Sequence, residues 1–145
     1  MPIVNVGKGD IMASTRQTLI CTINTRGAMG AGVAKAMRDT VPGLWKFYRK
    51  LYENNSLRVD RTFVYRCGDR QILLFPTKRD WRQPSNPAWI ETNLSKLSEN
   101  WERVGITSLA MPPLGCGNGG LDFKDIEPMI RFFLDPLPFE TDIVL

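Results

Sequence analysis

Short apolar runs alternate along this chain with segments whose apolar positions return every three or four residues, the mark of strands interleaved with amphipathic helices. Residues 3–6 and 19–23 read as strands, the second (Leu-Ile-Cys-Thr-Ile) apolar enough for burial on both faces. Residues 62–66 and 71–75 read as two more, joined through Gly68-Asp69 as a hairpin, and residues 108–111 and 141–145 complete the set. A helix is expected from about 30 to 38, punctuated by Pro42-Gly43. Another is expected over 44–53, where Leu44, Phe47, Tyr48 and Leu51 form an apolar stripe while Lys46, Arg49 and Lys50 face outward. Asn86 can cap a third helix with Pro87 in its first turn, and Ile90, Leu94, Leu97, Trp101 and Val104 then recur at helical spacing until Gly105. A fourth ends near Leu134, with Pro128 disturbing its early turns, and residues 76–84 read as a polar, basic loop. This alternation predicts an α/β layered fold with a mostly parallel or mixed sheet, whose ligands bind beyond the carboxyl ends of the strands.

Two glycine-rich loops stand where a strand should end and a helix begin. The first is Asn24-Thr25-Arg26-Gly27-Ala28-Met29-Gly30-Ala31-Gly32-Val33-Ala34, and the second is Pro112-Pro113-Leu114-Gly115-Cys116-Gly117-Asn118-Gly119-Gly120-Leu121-Asp122. Glycine leaves backbone N–H groups uncovered, and a helix N-terminus adds positive partial charge. One such loop suits an anion; two can hold the two ends of a pyrophosphate. Generic nucleotide motifs fail: Lys35 is followed by Ala36 and does not follow a glycine as a P-loop requires, and Gly27, Gly30 and Gly32 fall in the wrong order for a dinucleotide fingerprint. The alternative is that these glycines only make tight turns, which is weaker for two loops in equivalent places than for one.

Composition narrows the chemistry. The chain has no histidine, which excludes Ser-His-Asp and Cys-His catalysis and argues against a zinc hydrolase, leaving Lys, Asp, Glu, Tyr, Cys, substrate groups or water. Cys21, Cys67 and Cys116 are odd in number and fit neither a disulfide framework nor a zinc spacing, which points to a reducing cytoplasm. At 145 residues a single domain, 1–145, is expected. No apolar run is long enough for a membrane helix, and Met1 opens no signal peptide. The net charge of +4 permits an anionic ligand or nucleic acid without demanding either.

Taken in order, these segments resemble the macrodomains, which bind ADP-ribose, and the resemblance spans nearly the whole chain. It implies a three-layer α/β/α fold around a mixed central sheet. Gly9-Asp10-Ile11 is similar to the adenine-binding segment, with the Asp10 carboxylate accepting from the adenine amino group and Ile11 beside it. Asn24, Gly27, Met29, Gly30, Ala31, Gly32 and Val33 match the first phosphate–ribose loop. Leu114, Gly115, Cys116, Gly117, Asn118, Gly119 and Gly120 match the second. Within the family, residues 29–34, residues 75–82 (Phe-Pro-Thr-Lys-Arg-Asp-Trp-Arg) and the second loop resemble an ADP-ribosyl glycohydrolase branch. That branch contains the terminal ADP-ribose protein glycohydrolase and the DarG-type DNA ADP-ribosyl glycohydrolase antitoxins, and the last two segments look most like the antitoxins.

The resemblance implies that Lys78 is the catalytic lysine. A lysine amine partly stripped of water can attack the anomeric carbon of the distal ribose, or it can stay charged and stabilise the leaving group. On spacing alone Lys78, Arg79 and Arg82 read as a solvated basic loop. Asp122 is the second catalytic candidate, but the protein-directed relative carries its carboxylate two residues past Gly-Cys-Gly, where this chain has Gly119 and Gly120; Asp122 can equally cap the following helix. Asp10 can be a turn residue, and Asn24 can close its own backbone instead of reaching the ribose. Cys116 lacks a histidine to activate it and reads as packing. Arg26, Arg79, Trp81 and Arg82 together suit a nucleic acid, the indole stacking a base and the cations holding phosphate. The implied activity is hydrolysis of ADP-ribose from thymidine on single-stranded DNA, with no metal or cofactor and with an ADP-ribosyltransferase toxin as a partner. The other readings are a non-catalytic ADP-ribose reader and an enzyme acting on glutamate-linked ADP-ribose or ADP-ribose 1″-phosphate.

Overall fold

The computed structural model describes residues 4–145, so Ile3, expected to open the first strand, lies outside the described residues. In chain order the elements are β1 (Val4–Gly7), β2 (Thr18–Asn24), α1 (Gly32–Thr40), α2 (Leu44–Glu53), β3 (Phe63–Cys67), β4 (Arg70–Lys78), α3 (Pro87–Val104), β5 (Leu109–Met111), α4 (Phe123–Leu134) and β6 (Thr141–Val144). Two 3-10 turns, Ile11–Ala13 and Gly117–Gly119, sit after β1 and β5. The strands form one sheet in the order β1-β6-β5-β2-β4-β3. Every neighbouring pair is parallel except β3–β4, whose Cys67 and Arg70 close the Gly68-Asp69 hairpin. The sheet is thus mixed, with its one antiparallel strand at an edge.

Alternation along the central strands explains the layers. Ile20, Leu73 and Phe75 point to a face covered by α3 and α4, where they join Ile90, Leu94, Ile126 and Ile130. Leu19, Cys21, Ile23, Ile72 and Leu74 point to the other face, covered by α1 and α2 through Met37, Leu44 and Tyr48. Strands buried on both sides need no polar face, which is why residues 19–23 carry almost none. The result is a three-layer α/β/α fold around a mixed sheet.

One boundary differs from the sequence expectation in a way that matters. Residues 76–78 continue β4 rather than opening a loop. Proline is tolerated at position 76 because β3 pairs with β4 only as far as Leu74, so no ladder partner on that side needs the missing N–H. The extension pairs with β2 through a bulge, the register passing from Ile23 opposite Pro76 to Asn24 opposite Lys78. Asn93, a buried amide on α3, donates from Nδ2 to the Pro76 carbonyl at 3.2 Å and the Val59 carbonyl at 2.9 Å, steadying this strand end. Among the described residues no helix is long and apolar enough to cross a membrane.

Candidate functional site

The carboxyl ends of three adjacent strands, β5, β2 and β4, open into one cleft of about 930 Å³, a volume suited to a nucleotide-sized ligand. The chain leaves β2 toward α1 on one face of the sheet and β5 toward α4 on the other, the reversal at which open α/β sheets place their ligands. Asn24, Met29, Gly30, Ala31, Gly32 and Val33 of the first loop line the cleft, as do Gly115, Cys116, Gly117, Asn118 and Gly119 of the second; Lys78 and Trp81 lie between them. The loops meet at Gly32, whose added Cβ would stand 3.3 Å from the Asn118 side-chain nitrogen.

The first loop is held by side chains. Asn24, nearly buried, donates from Nδ2 to the Ala28 carbonyl at 2.8 Å and accepts at Oδ1 from the backbone N–H of Arg26 at 3.0 Å. Its amide closes the loop. Tyr48, fully buried on α2, donates its hydroxyl to the Asn24 carbonyl at 2.7 Å; burial pushes its phenol pKa up, which keeps it a donor. Arg49 does not face outward: it donates to the Gly27 carbonyl at 2.9 Å and lies over the rings of Trp45 and Tyr52. Gly27 has φ +83°, and a Cβ there would stand 2.6 Å from the Arg49 guanidinium and 2.8 Å from Tyr52. Glycine is therefore required at position 27 both for conformation and for space. The loop delivers the chain to α1 at Ala31, which makes no side-chain cap, so the first backbone N–H groups of α1 face the cleft without an acceptor among the described residues.

The second loop is held mostly by its own backbone. Leu121 donates to the Gly115 carbonyl at 3.0 Å, and Gly120 donates to Gly117 at 3.0 Å, closing a 3-10 turn. From outside the loop, the backbone N–H of Ser85 donates to the Gly119 carbonyl at 2.9 Å. A Cβ at Gly119 would collide with the Ser85 hydroxyl, which is buried and has no hydrogen-bond partner among the described residues. Burial raises the Cys116 thiol pKa, with the Asp122 charge adding to it, and the thiol's contact is the Leu114 carbonyl at 3.6 Å. That environment suits packing rather than nucleophilic attack.

Lys78, at the end of β4, reaches across the cleft. Its Nζ donates to the Asn118 carbonyl of the second loop at 3.0 Å and lies 3.4 Å from the Trp81 carbonyl. Among the described residues it forms no ion pair, so neighbouring carbonyls and not a carboxylate orient the amine. Asp122 caps α4, accepting from the backbone N–H of Lys124 at 3.0 Å; it does not line the cleft. The capping role is the one this geometry gives it. Asp10 likewise caps its short turn through Met12 at 2.9 Å and is exposed, while Ile11 is buried among the α1 and α2 side chains; neither lines the cleft. Leu114 is fully buried beneath the second loop, and Gly120, at φ +79°, turns the chain away from the cleft toward α4.

Beside the cleft, Trp81 is 57% exposed. Arg26 and Arg82 converge on the carboxylate of Asp80, a residue sequence reading passed over, while Arg79 is exposed and lies over the Trp89 ring. Arg82, the Arg82 backbone N–H and Arg26 hold the Asp80 carboxyl well below the usual carboxylate range. Tyr48, Arg49, Ser85 and Thr77 were also missed as site residues, Thr77 and Ser85 lining the cleft directly. Only the helical stripe signalled Tyr48, and it marks burial, not a hydroxyl aimed at a loop. Among the described residues no group of three or more His, Cys, Asp or Glu side chains could hold a metal ion.

Comparison with known proteins places the cleft among relatives. The family profile described as Macro domain matches residues 20–130. The DNA ADP-ribosyl glycohydrolase of Mycobacterium tuberculosis is 34% identical over 146 residues, 98% of this chain and 41% of the relative. The DNA ADP-ribosyl transferase–DNA ADP-ribosyl glycohydrolase fusion protein of Thermosipho africanus is 31% identical over 157 residues, 95% of this chain and 40% of the relative. The chain thus spans about two fifths of the length of these curated relatives. The solved macrodomain of Thermus aquaticus DarG superposes with a TM-score of 0.93 at 31% identity, covering 100% of this chain and 99% of that one. Thermosipho africanus DarTG in complex with ADP-ribose superposes with a TM-score of 0.93 at 31% identity, covering 100% of this chain and 42% of that one.

Proposed function

The chain belongs to the macrodomain family, and from that premise we propose that it is an ADP-ribosyl glycohydrolase acting on thymidine-linked ADP-ribose in single-stranded DNA. The diphosphate lies against the uncapped first turn of α1, where N–H groups and helix dipole favour an anion. The second loop closes over the distal ribose, and the adenine extends toward Asp10 and Ile11. The observation that carries catalysis is the position of Lys78: its amine stands at the cleft between both loops, tethered to the Asn118 carbonyl. There it meets the anomeric carbon of the distal ribose.

Attack by the amine forms a bond from Nζ to that carbon as the bond to the acceptor breaks, the electron pair leaving with the acceptor, which takes up a proton. Ring opening gives a Schiff base, and water then releases ADP-ribose and restores the amine. The reaction calls on no metal or cofactor; ADP-ribose is ligand and product. Arg26, Arg79, Trp81 and Arg82 receive the DNA strand at the rim. Support for a DNA acceptor comes from the names of the Mycobacterium and Thermosipho relatives, and the Thermosipho fusion supports a DNA-modifying ADP-ribosyltransferase as the source of the substrate.

The test offers the protein thymidine-linked ADP-ribosylated DNA, glutamate-linked ADP-ribosylated protein and ADP-ribose 1″-phosphate in parallel. Release from DNA is expected. Lys78→Ala should lower that release by roughly 10²–10⁴-fold while ADP-ribose affinity, read by calorimetry, persists. Full activity without Lys78 overturns the mechanism, turnover of the protein conjugate alone overturns the acceptor, and no ADP-ribose binding overturns both.

A further inference from the structure

We propose that Asp80 is the positioning residue of the acceptor-strand site: one buried carboxylate assembles Arg26, Trp81 and Arg82 into a preformed platform for a nucleobase and its phosphates beside the cleft. The proposal rests on the reading that the acceptor is single-stranded DNA. Asp80 lies in the turn after β4, yet it is only 8% exposed. Its Oδ1 accepts from the backbone N–H and the Nε of Arg82, both at 3.0 Å. Its Oδ2 accepts from the Arg82 Nη2 at 2.7 Å and from the Arg26 Nε at 3.3 Å.

Two segments far apart in sequence are therefore joined at one side chain, the first glycine loop through Arg26 and the strand-end turn through Arg82. The guanidinium groups remain open on their outer sides: the Arg26 and Arg82 side chains are 58% and 62% exposed. Trp81, between Asp80 and Arg82, keeps its ring exposed, lines the cleft, and has the Arg82 guanidinium 5.4 Å from its centroid. An exposed indole beside one tethered guanidinium, with a second guanidinium held on the same carboxylate, is the composition of a base-stacking seat with phosphate contacts. Tethering matters because an arginine already held in place loses less freedom when it binds phosphate.

The sign of the effect separates this role from a bulk charge effect. Asp80→Asn removes one negative charge, and long-range electrostatics alone would tighten DNA binding. Loss of the clamp frees two arginines and an indole and weakens it. Asparagine retains the oxygen that accepts from the Arg82 N–H, so the turn itself has a partner.

The experiment compares wild type and Asp80→Asn on an ADP-ribosylated oligonucleotide and on the thymidine–ADP-ribose nucleoside conjugate, with ADP-ribose affinity as the check on the cleft. The expected result is a rise in KM for the oligonucleotide of about tenfold with kcat changed less than about twofold, and no comparable change for the nucleoside conjugate. Tighter oligonucleotide binding, an unchanged KM, or equal losses on both substrates overturns the proposal. If wild type discharges neither DNA substrate, the DNA reading falls and this proposal falls with it; if wild type discharges both and the variant matches it, this proposal alone falls.

Discussion

The two glycine loops occupy equivalent places after β2 and β5, yet they are built on opposite principles. The first is held by side chains arriving from α2: Tyr48 and Arg49 bind its carbonyls, and Tyr52 fills the space against Gly27. It opens onto a helix without a side-chain cap. The second is closed by backbone hydrogen bonds within residues 113–121, and the helix after it is capped by Asp122. Two loops of similar composition thus present different electrostatics to the cleft. The first presents N–H groups with no acceptor among the described residues; the second presents the Asn118 carbonyl to the Lys78 amine. The division suggests that binding energy resides mainly in the first loop and the placing of the amine in the second.

The largest test of that division is Gly27→Ala. The left-handed φ and the approach to Tyr52 make it cost at least about 2 kcal/mol, read as a fall in melting temperature of roughly 5–10 °C together with loss of ADP-ribose affinity. A variant that melts and binds like wild type would show that the first loop does not depend on its side-chain brace. Tyr48→Phe is milder. It removes the hydrogen bond to the Asn24 carbonyl at a cost of about 1 kcal/mol and should weaken ADP-ribose binding by up to roughly fivefold in calorimetry, with turnover at saturation little changed. A large kcat effect would erase the assignment of binding to one loop and chemistry to the other. Smallest for activity is Asp122→Ala. Loss of the α4 cap should destabilise by about 1 kcal/mol, whereas turnover should stay within about twofold. A drop of 10²-fold or more, the size expected for a lost general acid or base, would return this carboxylate to the mechanism.

Reading the sequence found most elements because their causes are local. Asn86 with Pro87 and Gly105 mark the ends of α3, the Gly68-Asp69 pair marks the hairpin, and the apolar run at 19–23 marks a doubly buried strand. The loop expected over 76–84 is the exception, because its first three residues continue β4. Proline and two polar residues suggest a break, and only the absence of a β3 partner beyond Leu74 lets the strand continue. The site divided in the same way. Both glycine loops and Lys78 were visible as motifs, but Arg49 was placed on the solvent face because helical spacing says which side of α2 a residue occupies, not that a glycine loop lies against it.

The sequence by itself determined the alternation of strands and helices, the positions that demand glycine or a cap, and the family resemblance those positions carry. Each depends on backbone conformation or on a periodicity within a few residues. The tertiary structure alone decided that Asn24 stands opposite Lys78 through a bulge, that Tyr48 and Arg49 brace the first loop, and that Asp80 gathers arginines from two segments. Apart from the Arg82–Asp80 pair, two residues apart in one turn, these contacts join residues 22 to 54 positions apart or depend on a one-residue shift in strand register. Nothing in the local pattern encodes them, because the same tyrosine, arginine or aspartate would satisfy that pattern whichever partner the fold brought to it.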